Sequence, residues 1–177
     1  MGDSLSAGYG IDQRLGWVSL LQERLDRRGY GYRVVNASIS GETTSGALSH
    51  LDDDLRHHRP AVVVIELGAN DGLRGLPLRD MEQNLTRMIE RCRAAQAKVL
   101  VIGMRLPPNY GPRYTSQFEQ LYHDIAKRYD TAFVPFLMQG FATDTRLFQS
   151  DGLHPIAKAQ PAMLDNVWPA LKGLLTK

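Results

Sequence analysis

The stretch Ala61-Val62-Val63-Val64-Ile65-Glu66-Leu67 decides the fold. It is almost wholly apolar, rich in β-branched residues, and too short for a typical helix. It also lacks the polar alternation of a half-exposed strand, so it reads as a strand covered on both faces. Such a strand needs helices above and below it, and the flanking sequence provides them. Upstream, Leu48, Leu51 and Leu55 repeat at helical spacing until Pro60 ends the run. Before them, Tyr32 to Ala37 reads as a short strand centred on Val34-Val35. Trp17, Leu20, Leu21 and Leu25 mark a helix stopped by Gly29.

Downstream the rhythm repeats. Met81, Leu85, Met88, Ile89 and Cys92 define a helix, and Lys98 to Gly103 a buried strand. Phe118, Leu121, Tyr122 and Ile125 give a further helix, Thr131 to Pro135 a shorter strand, and Met163, Val167, Leu171 and Leu174 a closing helix. Strands separated by helices pair in parallel through right-handed crossovers. The expectation is an α/β fold, an open parallel sheet with helices on both faces. No linker, repeat or low-complexity segment interrupts the pattern, so residues 1–177 read as one domain.

Bulk composition narrows the function. The 177 residues carry a formal net charge of +2, with 43% hydrophobic and 23% charged residues. That balance is ordinary for a globular chain, and too weakly basic to argue for a nucleic-acid partner. No apolar run reaches the ~18 residues of a membrane span. Cys92 is the only cysteine and falls in phase with an apolar helix face, so a buried core thiol is expected, with no internal disulfide. His57 and His58 are adjacent at a polar helix end and point apart, while His50 and His123 lie on helices with no partner signature. Neither a metal nor a cofactor is expected.

The unusual polar segments lie just after strands, where ligands bind in open parallel sheets. Ser38-Ile39-Ser40-Gly41-Glu42 follows Val34-Val35, Gly68-Ala69-Asn70-Asp71 follows the Ala61 strand, and Asp151-Gly152-Leu153-His154-Pro155 follows the last strand. Gly2-Asp3-Ser4-Leu5 joins them if a strand precedes it. Acyl transfer needs a nucleophile, a base, a group that orients the base, and donors for the oxyanion. Ser4 offers the hydroxyl, His154 the base and Asp151 its orienting carboxylate. The Ser4 N–H, the Gly41 N–H and the Asn70 amide offer the oxyanion hole. Taken alone, each piece has a plainer reading: Ser4 as a helix or turn cap, Asp151 as a turn residue, Gly68 to Asp71 as a tight turn, Gly41 as loop before a helix cap. The plain readings do not predict the shared sheet edge.

As a set, Gly2-Asp3-Ser4-Leu5, Gly41 in SISGE, Gly68-Ala69-Asn70-Asp71 and Asp151-Gly152-Leu153-His154-Pro155 resemble the four blocks of the SGNH (GDSL) hydrolases, in family order from residue 2 to 155. GDSLSAGYG, SISGETT and GANDGLRGLP are most similar to the bacterial multifunctional acyl-CoA thioesterase, lysophospholipase and arylesterase group. The resemblance implies a flavodoxin-like three-layer α/β/α fold, a serine esterase or thioesterase acting on small acyl esters and thioesters, and a monomeric periplasmic or secreted enzyme freed from a signal peptide. It further implies an acyl-contacting loop at Leu73 to Leu78, with Leu73, Leu76 and Pro77 as contacts. A facing wall at Arg105 to Arg113 would present Leu106, Pro107 and Tyr110. Asp3 is expected to brace its loop. Two rival readings share these residues: a carbohydrate O-acetyl esterase, and a catalytically impaired acyl-lipid binding module. Family members place an apolar strand directly before the Gly-Asp-Ser-Leu block, whereas only Met1 precedes Gly2 here. The expectation is that upstream residues supply that strand, since a true absence would leave backbone groups unpaired beside the sheet.

Overall fold

In the computed structural model, which describes residues 1–176, the Ala61 stretch does form a strand, but at one end of the strand order and with Val62 and Val64 only half-buried rather than covered on both faces; Lys177, included in the expected domain, lies outside the described residues. Strand β1 (Val62–Ile65) pairs in parallel with β2 (Lys98–Ile102), which pairs in parallel with β3 (Ala132–Val134), giving the order β1-β2-β3. The register sets Val63 beside Val99 and Ile65 beside Val101, so buried β-branched side chains stack along the sheet.

Five longer helices flank the sheet: α2 (Trp17–Arg27), α3 (Thr44–His58), α5 (Leu78–Ala94), α6 (Pro112–Arg128) and α7 (Gln160–Lys172). Two single-turn helices, α1 (Ser4–Ala7) and α4 (Ala69–Leu73), sit at strand ends. Helices α3, α5 and α6 pack side by side, with α5 and α6 against β2, while α2 packs on α7 and α7 on β2 and β3. That is the α/β/α layering expected from the alternation. Helix α5 shows the cause: its apolar stripe Met81, Leu85, Met88, Ile89 and Cys92 is buried, each large side chain contributing roughly 1.5–3 kcal/mol. Burial pushes the Cys92 thiol up to about 11, as befits an inert core residue.

The Tyr32 to Ala37 segment departs from expectation. Residues 31 to 39 form neither a strand nor a helix. Among the described residues, the ladder-like contacts on that side of β1 come from the first two residues. The Met1 amino group donates to the Val64 carbonyl at 2.9 Å, Glu66 N–H to the Met1 carbonyl at 3.0 Å, and Ile39 N–H to the Gly2 carbonyl at 3.0 Å. The segment and β1 both border a cavity of about 570 Å3, lined also by Trp17, Leu21, Leu51 and Leu171. Backbone that makes no ladder hydrogen bonds to a neighbouring strand is not part of the sheet.

Candidate active site

The carboxyl ends of the strands gather the four polar segments. At the first, Asp3 rather than Ser4 caps the helix: its Oδ1 accepts the Leu5 N–H at 3.0 Å, and Ser4 becomes the first residue of α1. The last segment is a tight turn, with Gly152 at φ 69° and Gln149 N–H bonded to the His154 carbonyl at 2.8 Å. Inside it Asp151 Oδ1 accepts from Leu153 and His154 N–H, at 2.9 and 3.0 Å, and Oδ2 faces His154 Nδ1 at 2.7 Å. His154 Nε2 in turn lies 2.8 Å from Ser4 Oγ. A hydrogen-bonded relay therefore runs from Asp151 through His154 to Ser4, across 150 residues of sequence. The three bonds donated by His154 and Leu153 hold the Asp151 carboxyl down at about 2, so it stays ionised while His154 changes charge.

Gly41 and Asn70 meet on the other side. Gly41 has a φ of 81°, a backbone conformation open to glycine, and its carbonyl accepts from the Arg74 guanidinium at 2.8 Å. Among the described residues, neither the Ser4 N–H nor the Gly41 N–H has a hydrogen-bond acceptor, so both are free to donate. The Asn70 amide differs. Its nitrogen donates to Asp3 Oδ2 at 3.2 Å and to the Glu42 carbonyl at 2.9 Å, so both hydrogens are engaged. A ligand oxygen must displace one of them.

The expected acyl contacts are placed unevenly. Leu73 is half-buried, Leu76 is 38% exposed, and Pro77 lies exposed before α5. Tyr110 donates its hydroxyl to the Leu73 carbonyl at 2.8 Å, which ties the two loops together. Pro107 is half-buried. Leu106 is buried against Gly72, where a Cβ would come within 2.7 Å of it, so it supports α4 from beneath rather than standing on an open wall.

Several neighbours carry no sequence signal. Tyr9 sets its ring 4.6 Å from that of His154 and is 52% exposed. Gln149 Nε2 donates to the Tyr9 carbonyl at 2.8 Å, joining the serine and histidine loops. Buried Asp71 accepts from Thr44 N–H at 2.9 Å and Thr44 Oγ1 at 2.6 Å, which fixes the Gly41 loop to α4. His50, whose sequence surroundings carry no partner signature, bridges Asp54 Oδ2 at 2.8 Å and Glu42 Oε2 at 3.3 Å. Among the described residues, no group of three or more His, Cys, Asp or Glu side chains is arranged to hold a metal, and no helix is long and apolar enough to cross a membrane.

A serine, a histidine and a carboxylate in relay, beside unpaired backbone N–H groups at the end of a parallel sheet, define the serine hydrolase class. Residues 1–160 match the GDSL-like lipase/acylhydrolase family, and the chain belongs to that family. It is 53% identical to an esterase named TesA from Pseudomonas aeruginosa, over 99% of this chain and 87% of that protein. It is 41% identical to the thioesterase 1/protease 1/lysophospholipase L1 of Escherichia coli K12, over 99% of this chain and 83% of that one. Among solved structures it resembles the psychrotrophic esterase EstA of a Pseudoalteromonas species, inhibited by monoethylphosphonate. The TM-score is 0.93 at 43% identity, over 98% of this chain and 94% of the other.

Proposed function

We propose that this acylhydrolase cleaves carboxylic esters and thioesters of acyl substrates through an acyl-enzyme on Ser4. The observation that carries the reading is the unbroken relay from Asp151 to Ser4. His154 Nε2 takes the Ser4 proton as Oγ attacks the acyl carbonyl carbon. The bond to the leaving oxygen or sulfur then breaks, and His154 returns the proton to that atom. Water, deprotonated by the same nitrogen, attacks the acyl-serine and releases the acid with Ser4 restored. The Ser4 and Gly41 N–H groups, with the Asn70 amide turned from one of its acceptors, stabilise the oxyanion in each half.

Acyl-CoA thioesters, aryl esters and lysophospholipids are the substrate classes we assign. They are supported by the names carried by relatives, which include a thioesterase and lysophospholipase and an arylesterase, and by the exposed apolar side chains on the site's own loops: Tyr9, Leu76 and Leu153. That apolar rim suits an acyl chain better than an acetylated sugar, and a closed relay is not what an impaired binding module would retain. Leu73, Leu76, Pro77, Pro107 and Tyr110 are the proposed substrate contacts. A monomeric enzyme, periplasmic or secreted, is the assembly and location we assign. The one core cluster that spans Leu5 to Leu171 supports reading the chain as one hydrolase domain.

Replacing Ser4 by Ala should remove hydrolysis of a p-nitrophenyl ester, and labelling by a fluorophosphonate probe, without changing the thermal unfolding midpoint. Turnover that persists in the folded Ala variant would overturn the assignment.

A further inference from the structure

The relay makes no use of Glu66, yet the nucleophile's turn rests on it. Its side chain is fully shielded. Oε2 accepts the Ser6 hydroxyl at 2.7 Å and the Asp3 N–H at 3.4 Å, while Oε1 is buried with no hydrogen-bond partner among the described residues. A Cβ on Gly2 would come within 2.8 Å of the same carboxyl and of Ser6, so the turn's backbone is pressed directly onto this group. The turn carries Asp3, which acts in two directions. Oδ1 caps α1 and so sets Ser4, and Oδ2 holds the Asn70 amide at 3.2 Å. A single line of contacts therefore leads from Glu66, through Asp3, to both the nucleophile and the third oxyanion donor.

We propose that Glu66 is a positioning residue of this active site, seating the Gly2-Asp3-Ser4 turn and, through Asp3, setting the aim of the Asn70 amide. The inference rests on the oxyanion role assigned to Asn70 above. The Asp3 hold anchors the amide while its other hydrogen turns from the Glu42 carbonyl to the oxyanion. Burial favours the neutral acid form of Glu66 in that role. An uncharged carboxyl oxygen left without a partner in the core costs far less than a carboxylate there.

The surrounding charges fit that division of the proton. Two adjoining buried carboxyls do not both ionise readily. Burial pushes Glu66 well above the usual carboxylate range, and Asp3 only to about 6, the latter restrained by the Leu5 N–H. The groups facing the pair are the Met1 amino group on the strand edge, Asp71 on α4, the Tyr122 phenol on α6 and His154. Of the two, burial pushes Glu66 the further, so the charge develops first on Asp3, which makes Asp3 a strong, charge-assisted acceptor for Asn70.

The test uses the whole chain and three variants, with kcat counted per site titrated by fluorophosphonate. Glu66→Ala should lower kcat ~10- to 100-fold, the scale of a small misplacement of reacting groups, with KM nearly unchanged. Glu66→Gln, a neutral isostere, should restore most of that loss. Side-chain amide resonances of Asn70, followed by NMR, should titrate with a midpoint near the Asp3 value of about 6 and lose that step in Asp3→Asn. Unchanged kcat per site in Glu66→Ala overturns the proposal, as does a Gln variant no better than Ala, or an Asn70 signal flat with pH in the wild type. Should the Ala variant fail to fold, the Gln variant and the Asn70 titration still decide. A wild type that neither turns over esters nor labels would fail the function itself, a different result from active wild type with indifferent Glu66 variants.

Discussion

Asp151 makes three hydrogen bonds, all inside its own loop, and that fixes what it does for His154. Two backbone N–H groups hold Oδ1, leaving Oδ2 for the ring nitrogen alone. The carboxylate therefore accepts from Nδ1–H and leaves Nε2 bare to take the Ser4 proton. Asp151→Asn keeps an oxygen for the backbone donors but turns an NH2 toward Nδ1. The ring is driven to the tautomer whose Nε2 carries hydrogen, and it can no longer act as base. We expect kcat for a p-nitrophenyl ester to fall ~10^3- to 10^4-fold with KM nearly constant. A loss below about tenfold would show that some other group orients His154. The pairing of Asp151 with His154 was legible because three residues of chain fix it locally. Tyr9 against His154 and Glu66 beneath Ser6 were not, since such contacts are made by the fold across 145 and 60 positions. In the sequence, Glu66 is merely the one polar letter of a buried strand.

At the scale of elements, the long helices and the covered strands could be read from periodicity, whereas the short pieces could not. Helix α4 spans one turn and shows no repeat, so Gly68 to Asp71 read as a turn. What fixes it is tertiary: Gly68 has a φ of 113° and a Cβ there would run into the Tyr122 hydroxyl and Met81. The Tyr32 to Ala37 strand failed for the converse reason, since strand propensity needs a partner edge to become a strand. The same tertiary logic makes Asp71 the link between α4 and α3, through its two bonds to buried Thr44. Asp71→Ala strips a side-chain acceptor from two buried donors, and should destabilise the fold by about 2–4 kcal/mol in urea unfolding. It should also lower kcat, because Gly41 reaches the site on the loop that Thr44 anchors. Equal stability in variant and wild type would mean that water replaces the carboxylate there.

Across the whole molecule, the site's carboxyls set opposing limits on stability with pH. Asp151 is depressed from 3.8 to about 2, so its contribution is complete above the unfolded value and is lost as pH falls toward 2. Asp3 is raised from 3.8 to about 6, so the folded state holds its proton more tightly than the unfolded chain. Its contribution is complete below about 3.8 and is lost as pH rises through about 6. Glu66, also raised by burial, acts in the same sense from its ordinary value of 4.5 upward. The fold should therefore become less stable between roughly pH 4 and 7, the range over which the charge on Asp3 that serves Asn70 develops. This is a trade of stability for a charged, working site. Asp3→Asn removes the titrating group while keeping a side chain of the same shape. Its unfolding midpoint, measured by calorimetry from pH 4 to 8, should decline less steeply than that of the wild type and meet or pass it near neutrality. Parallel curves for the two proteins would place the buried charge elsewhere and remove Asp3 as the source of the pH dependence.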